Sequence, residues 1–188
     1  MYFAKTITLI ALCLFLAPAA HAKMDVMKID AQKNAVDHNN RGVIYMQDRY
    51  YAPAIKEFQM AVLLDPDTQA SSVYYANLAN CYMKIGYPAL AQDTLQRAIK
   101  LNPMNLTNYQ DLAVAFKRQN ILDQKLRFYQ KEVKKNPLNQ IMIGLILIEQ
   151  GKQDAGIAKL QEFVYTEPDL IISTGVKKYI EELNPTKY

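Results

Sequence analysis

The chain has no tryptophan, two cysteines, two histidines and only six glycines in 188 residues. So little glycine argues against a turn-rich all-β fold, and two cysteines cannot staple a disulfide scaffold. Two histidines leave a metal site or a general base short of partners. Neither sign of charge dominates: 22 basic residues face 18 acidic ones, for a net charge of +4. The excess is spread along the chain, with no basic stripe of the kind nucleic acid would need. Nucleophile-elbow, phosphate-loop, dinucleotide and zinc-protease motifs are absent from the sequence, which argues against an enzyme. What is plentiful is tyrosine, thirteen in all, and hydrophobic residues make up 51% of the chain against 21% charged. That balance fits one soluble domain with a real core.

The first 22 residues read as an address. Lys5 precedes an apolar run from Ile7 to Ala17, broken only by Thr8; Pro18 and Ala20-His21-Ala22 follow. This is the layout of a secretory signal peptide cleaved before Lys23. The run is short for a membrane-spanning helix, which takes roughly 17–25 residues, and the later segment Ile141 to Ile148 is shorter still. An exported, periplasmic bacterial protein is expected, the alternatives being secretion or anchoring by an uncleaved signal. Cys13 follows Leu12, a poor lipidation context, so the mature chain keeps one thiol, Cys81. Residues 23–34 form an N-terminal extension.

Prolines punctuate the rest. Pro66, Pro103, Pro137 and Pro168 are spaced 37, 34 and 31 residues apart. Before each lies a similar pattern. The second copy has Tyr75, Leu78-Ala79, Tyr82 and Gly86, then Ala91, Leu95 and Ala98. The first has Gly42 and Tyr45, then Ala54, Phe58 and Ala61; the third has Tyr109, Leu112-Ala113, Phe116, Leu126 and Tyr129. The fourth has Ile143-Gly144, Leu147, Gly151, Gly156, Leu160 and Phe163. Small residues admit close helix approach, and large ones three or four positions away fill the space between.

This pattern resembles the tetratricopeptide repeat (TPR), a helix–turn–helix unit of 34 residues. The resemblance implies an all-α, right-handed solenoid of about four repeats, at 35–68, 72–105, 106–137 and 138–168, with residues 169–188 as a closing helix and tail. Val176, Tyr179, Ile180 and Leu183 give that helix one apolar stripe. Arg49 stands where the turn glycine is usual. Lys125 and Glu132 replace small residues in the third copy, which predicts looser packing there. His38 and Cys81 read as packing residues, and Tyr45, Tyr75, Tyr82, Tyr109 and Tyr129 as core. Tyr50, Tyr51, Tyr74 and Tyr87 are less committed.

In such solenoids the first helix of each repeat lines a concave groove. The resemblance places Asn39, Asn40 and Met46 there from the first repeat, and Asn77, Asn80, Met83 and Lys84 from the second. Gln110, Asp111, Lys117 and Arg118 come from the third. Asparagines suit an extended peptide backbone, methionines give adaptable apolar contact, and Lys84, Lys117 and Arg118 make a basic spot for a carboxylate. The fourth repeat presents Ile141, Met142, Leu145 and Ile148, an apolar face the closing helix should cover. The basic residues of a chaperone-binding clamp are missing, since Asn39 and Val43 stand in the first repeat and Thr107 and Asp111 in the third, which argues against such a clamp. The expected function is a non-catalytic adaptor, without cofactor or metal, that holds a protein or peptide in an envelope assembly or secretion complex. The alternative is a self-associating module, a homo-oligomer paired through its apolar fourth-repeat and C-terminal end.

Overall fold

The computed structural model describes residues 31–184. The signal assigned to 1–22 and most of the extension at 23–34 lie outside the described residues, as do the last four positions. Nine helices and no strand occur among the described residues. Helix α1 covers 31–47. It is followed by α2 (Tyr51–Leu64), α3 (Ser71–Lys84), α4 (Pro88–Leu101) and α5 (Leu106–Arg118). Then come α6 (Leu122–Glu132), α7 (Asn139–Glu149), α8 (Gln153–Thr166) and α9 (Ile171–Leu183). The odd-numbered helices α1 to α7 form one layer and α2 to α8 the other, an all-helical repeat solenoid.

One turn is built four times. The second residue after each first helix takes a left-handed backbone: Arg49 at φ 64°, Gly86 at 85°, Asn120 at 57° and Gly151 at 80°. The next N–H then reaches back five residues: Tyr50 to the Tyr45 carbonyl (2.8 Å), Tyr87 to Tyr82 (2.9 Å), Ile121 to Phe116 (3.1 Å) and Lys152 to Leu147 (2.9 Å). That bond closes the helix end and sets the angle of the next helix. Glycine and asparagine adopt this conformation at little cost, whereas arginine carries a Cβ clash. The prolines act as expected. Pro88 opens α4, where its missing N–H costs nothing, and Pro66, Pro103, Pro137 and Pro168 follow the ends of α2, α4, α6 and α8.

Second helices bury matching positions: Ala54, Phe58 and Ala61 in α2, Ala91, Leu95 and Ala98 in α4, and Gly156, Leu160 and Phe163 in α8. The third repeat departs as its sequence predicts, for α6 buries no residue at all. There Lys125 stands where α2 and α4 have alanine, and its ammonium lies 5.0 Å from the Phe116 ring centre. The fourth repeat is tightly packed. A methyl added at Gly156 would sit 2.6 Å from the Gly144 carbonyl and 2.6 Å from Ile148. One added at Gly144 would sit 2.7 Å from Leu160. Only hydrogen side chains let α7 and α8 approach this closely.

Tyr75 and Tyr109 are buried as expected, and Tyr109 donates to the Pro103 carbonyl (3.0 Å). Two tyrosine expectations are corrected. Tyr45 is exposed. Tyr74 is buried with Ala35 and Ala61, at the seam between the first two repeats.

Candidate functional site

The groove is built from the inward faces of α1, α3, α5 and α7, and side chains join these helices in sequence. Asn77 on α3 donates through Nδ2 to Oδ1 of Asn39 on α1 (2.9 Å). Arg118 on α5 donates through Nη1 to the Met83 carbonyl of α3 (2.7 Å). Lys117 on α5 meets Glu149 on α7 (3.1 Å). The solenoid therefore brings the expected groove residues onto one face.

Their roles differ from the simplest expectation in four respects. Met83 is only 7% exposed and belongs to the main core rather than offering a contact. Arg118 occupies its guanidinium in closing the C-terminal end of α3, where the carbonyls carry partial negative charge. Lys117 is neutralised by Glu149. The basic spot thus reduces to Lys84, which is exposed and makes no ion pair among the described residues. Met46, partly buried, packs on the cluster of Ala54, Phe58, Leu78 and Cys81.

The third and fourth repeats have their groove filled. Helix α9 turns back across it. A Cβ on Gly175 would lie 3.8 Å from Leu106 at the start of α5. Tyr179 lies close to Gln110 and feels the charge of Glu149. Burial, followed by that charge, pushes the Tyr179 phenol upward, and Gln110 acts in the opposite direction. Ile172, Val176 and Ile180 of α9 share one buried cluster with Ile141, Met142 and Leu145 of α7. The apolar fourth-repeat residues Ile141, Met142 and Leu145 are buried, and Gln110 lies beside the chain's own Tyr179.

What stays open is a shallow recess between α3 and α5, about 90 Å³. Asn80, Lys84, Asp111 and Arg118 supply its polar wall, with Met83 and Leu95 at its floor. Burial raises the Asp111 carboxyl above its ordinary value. Beside the recess, the Asn39–Asn77 bond uses one N–H and one oxygen lone pair. It leaves the Asn39 amide hydrogens and the Asn77 carbonyl oxygen for a ligand, already oriented. Asn40 and Asn80 are exposed nearby.

Three residues lie outside this chemistry. His38 Nδ1 approaches Glu57 Oε2 at 2.7 Å, and Arg41 Nε donates to the same oxygen at 3.0 Å, tying α1 to α2. Burial alone would raise the Glu57 carboxyl, but the His38 and Arg41 hydrogen bonds and charges bring it below 4.5. His38 is a packing residue, as read. Cys81 is fully buried, and burial pushes its thiol up to about 11, so it is no nucleophile. Sequence reasoning missed Asn108, which is buried, donates to Ser72 Oγ (3.3 Å) and leaves its own oxygen without a partner. An asparagine near a helix start reads from sequence as a cap, not as a core residue.

Residues 73–105 match the tetratricopeptide repeat family. A mouse FK506-binding protein-like protein is 28% identical over 114 residues, 59% of this chain. The matched region is 32% of that relative's length. A crystal structure of MamA is similar at a TM-score of 0.50 and 24% identity, covering 79% of this chain and 86% of that one. The first TPR of Spaghetti (RPAP3), bound to an HSP90 peptide, is a looser likeness: TM-score 0.47, 15% identity, 82% of this chain and 96% of that one.

Proposed function

We propose that this chain, an all-helical repeat solenoid with a tetratricopeptide repeat at 73–105, is a non-catalytic adaptor holding an extended protein segment in the N-terminal half of its groove. The observation that carries this reading is the open Asn39–Asn77 pair beside the recess of Asn80, Lys84 and Asp111. Amide groups already fixed in place hold peptide N–H and C=O groups with little further ordering cost. With Arg118 and Lys117 engaged elsewhere and Asp111 desolvated, the recess disfavours a terminal carboxylate. It favours the middle of a chain carrying a polar or basic side chain. The leader-like segment at 1–22 supports export, and with it a role in an envelope assembly or secretion complex.

Selection of random linear peptides on the purified chain tests the binding role. Binders that lose at least about tenfold in affinity when Asn77 and Asn80 are both alanine are expected, about 1–1.5 kcal/mol for lost hydrogen bonds. A selection that returns only binders indifferent to these residues sinks the reading. Export is checked separately, by the mass of the chain recovered from its native host: a start at Lys23 is expected, and an intact Met1 in the cytoplasm would refute it.

A further inference from the structure

Away from the groove, the outer faces of α8 and α9 enclose a second depression of about 450 Å³. Val164, Tyr165 and Pro168 line it from the α8 side, and Lys177, Ile180 and Glu181 from α9. Tyr165 is 86% exposed, the most open of the large apolar residues described. A tyrosine ring offers roughly 150–250 Å² of burial to whatever covers it.

The charges on α9 say what that is. Lys177 and Glu181 lie one helical turn apart on its outer face, and neither makes an ion pair among the described residues. Their neighbours Lys178 and Glu182 do pair, at 3.9 Å. A two-fold axis exchanges residue i of one copy with residue j of the other. An antiparallel approach of two α9 helices therefore sets each Lys177 against the other copy's Glu181, both pairs forming at once. On a foreign surface those two charges would each need a separately placed complement; on a copy they are matched by symmetry.

We propose that a second copy of the chain docks here as a two-fold dimer, each Tyr165 entering the other copy's depression. The surface lies at the C-terminal end where self-pairing is expected from sequence, but not on the apolar residues of α7, since Ile141, Met142 and Leu145 are buried. It also leaves the open groove of both copies free.

Sedimentation velocity and light scattering on the full chain, from micromolar to millimolar concentration, test this. A concentration-dependent dimer is expected. Lys177→Glu should weaken it about tenfold or more, since it creates two like-charge contacts. The double exchange Lys177→Glu with Glu181→Lys should restore affinity to within about threefold of the parent. Tyr165→Asp should abolish the dimer. All these side chains are exposed, so thermal unfolding of the monomer should not move. A monomer at every concentration overturns the proposal. So does a dimer that ignores Tyr165→Asp and Lys177→Glu, or a charge exchange that fails to restore pairing. A different protein captured on this face by an otherwise monomeric chain overturns it as well.

Discussion

The groove faces of α1 and α3 start from the same repeat as those of α5 and α7, yet one pair remains open and the other is closed by the chain itself. On α1 and α3 the inward residues are Asn39, Asn40, Asn77, Asn80 and Lys84, whose polar groups water solvates readily. On α7 they are Ile141, Met142 and Leu145, which are buried in one core cluster with Ile172, Val176 and Ile180 of α9. The difference is one of side-chain chemistry on a shared backbone. An apolar face draws a helix onto itself at roughly 25 cal/mol per Å² buried. A face of amides offers that helix nothing and stays free for hydrogen bonding.

The comparison breaks most completely if α9 is released. Val176→Asp puts a charge at a fully buried site of α9, at an expected cost of about 4 kcal/mol. Chemical denaturation should show that loss, and a hydrophobic dye should bind the bared α7 face. Peptide binding by the α1–α3 half should survive in the fraction that remains folded.

Gly156→Ala strikes the same half from within. The added methyl meets backbone at 2.6 Å, so α7 and α8 must part, costing about 2–3 kcal/mol in the urea midpoint. In the open half a substitution should act in the opposite direction. Arg49→Gly relieves the one bulky residue in the shared turn and should stabilise the chain by about 1 kcal/mol. An unchanged melting temperature would mean the turn tolerates arginine without strain.

The smallest effects are those of pH. Glu57 titrates below its ordinary 4.5, so its tie to His38 and Arg41 is intact above that value and is lost as acid protonates the carboxylate. Glu57→Gln should flatten this acid-side loss by a few tenths of a kcal/mol, as for a partly exposed pair. Asp111 has the opposite sign. Its folded pKa is raised by burial, so the ionised form opposes folding at neutral pH and the penalty fades as pH falls through that value. Asp111→Asn should therefore raise the melting temperature at pH 7 and have less effect in acid.

Much of the architecture was legible because the repeat is written in residue types whose physics is local. Gly86 and Gly151 mark left-handed turns, Pro66 to Pro168 mark helix ends, and the alanine–large–alanine spacing marks buried second-helix faces. Where a repeat broke the pattern, as at Lys125, the packing loosened in the expected place. Arg49 and Asn120 show the limit: the turn is kept although its usual glycine is not, since the five-residue back-bond and the packing beyond it fix the conformation. The groove was less legible. Position on a helix told which residues would face inward, but not which would be claimed by a neighbour. Arg118, Lys117 and Asn39 all found partners 30 or more residues away.

The sequence by itself determined the helix-turn-helix units and the polar or apolar character of each inward face, because these follow from backbone preference and hydrophobic spacing. Only the tertiary structure decided that α9 lies back along α5 and that the basic spot is spent on internal bonds. It also decided that Asp111 loses much of its water. Those outcomes depend on the distance between helices far apart in the chain, and a hydrogen bond or an ion pair exists only where folding has set that distance.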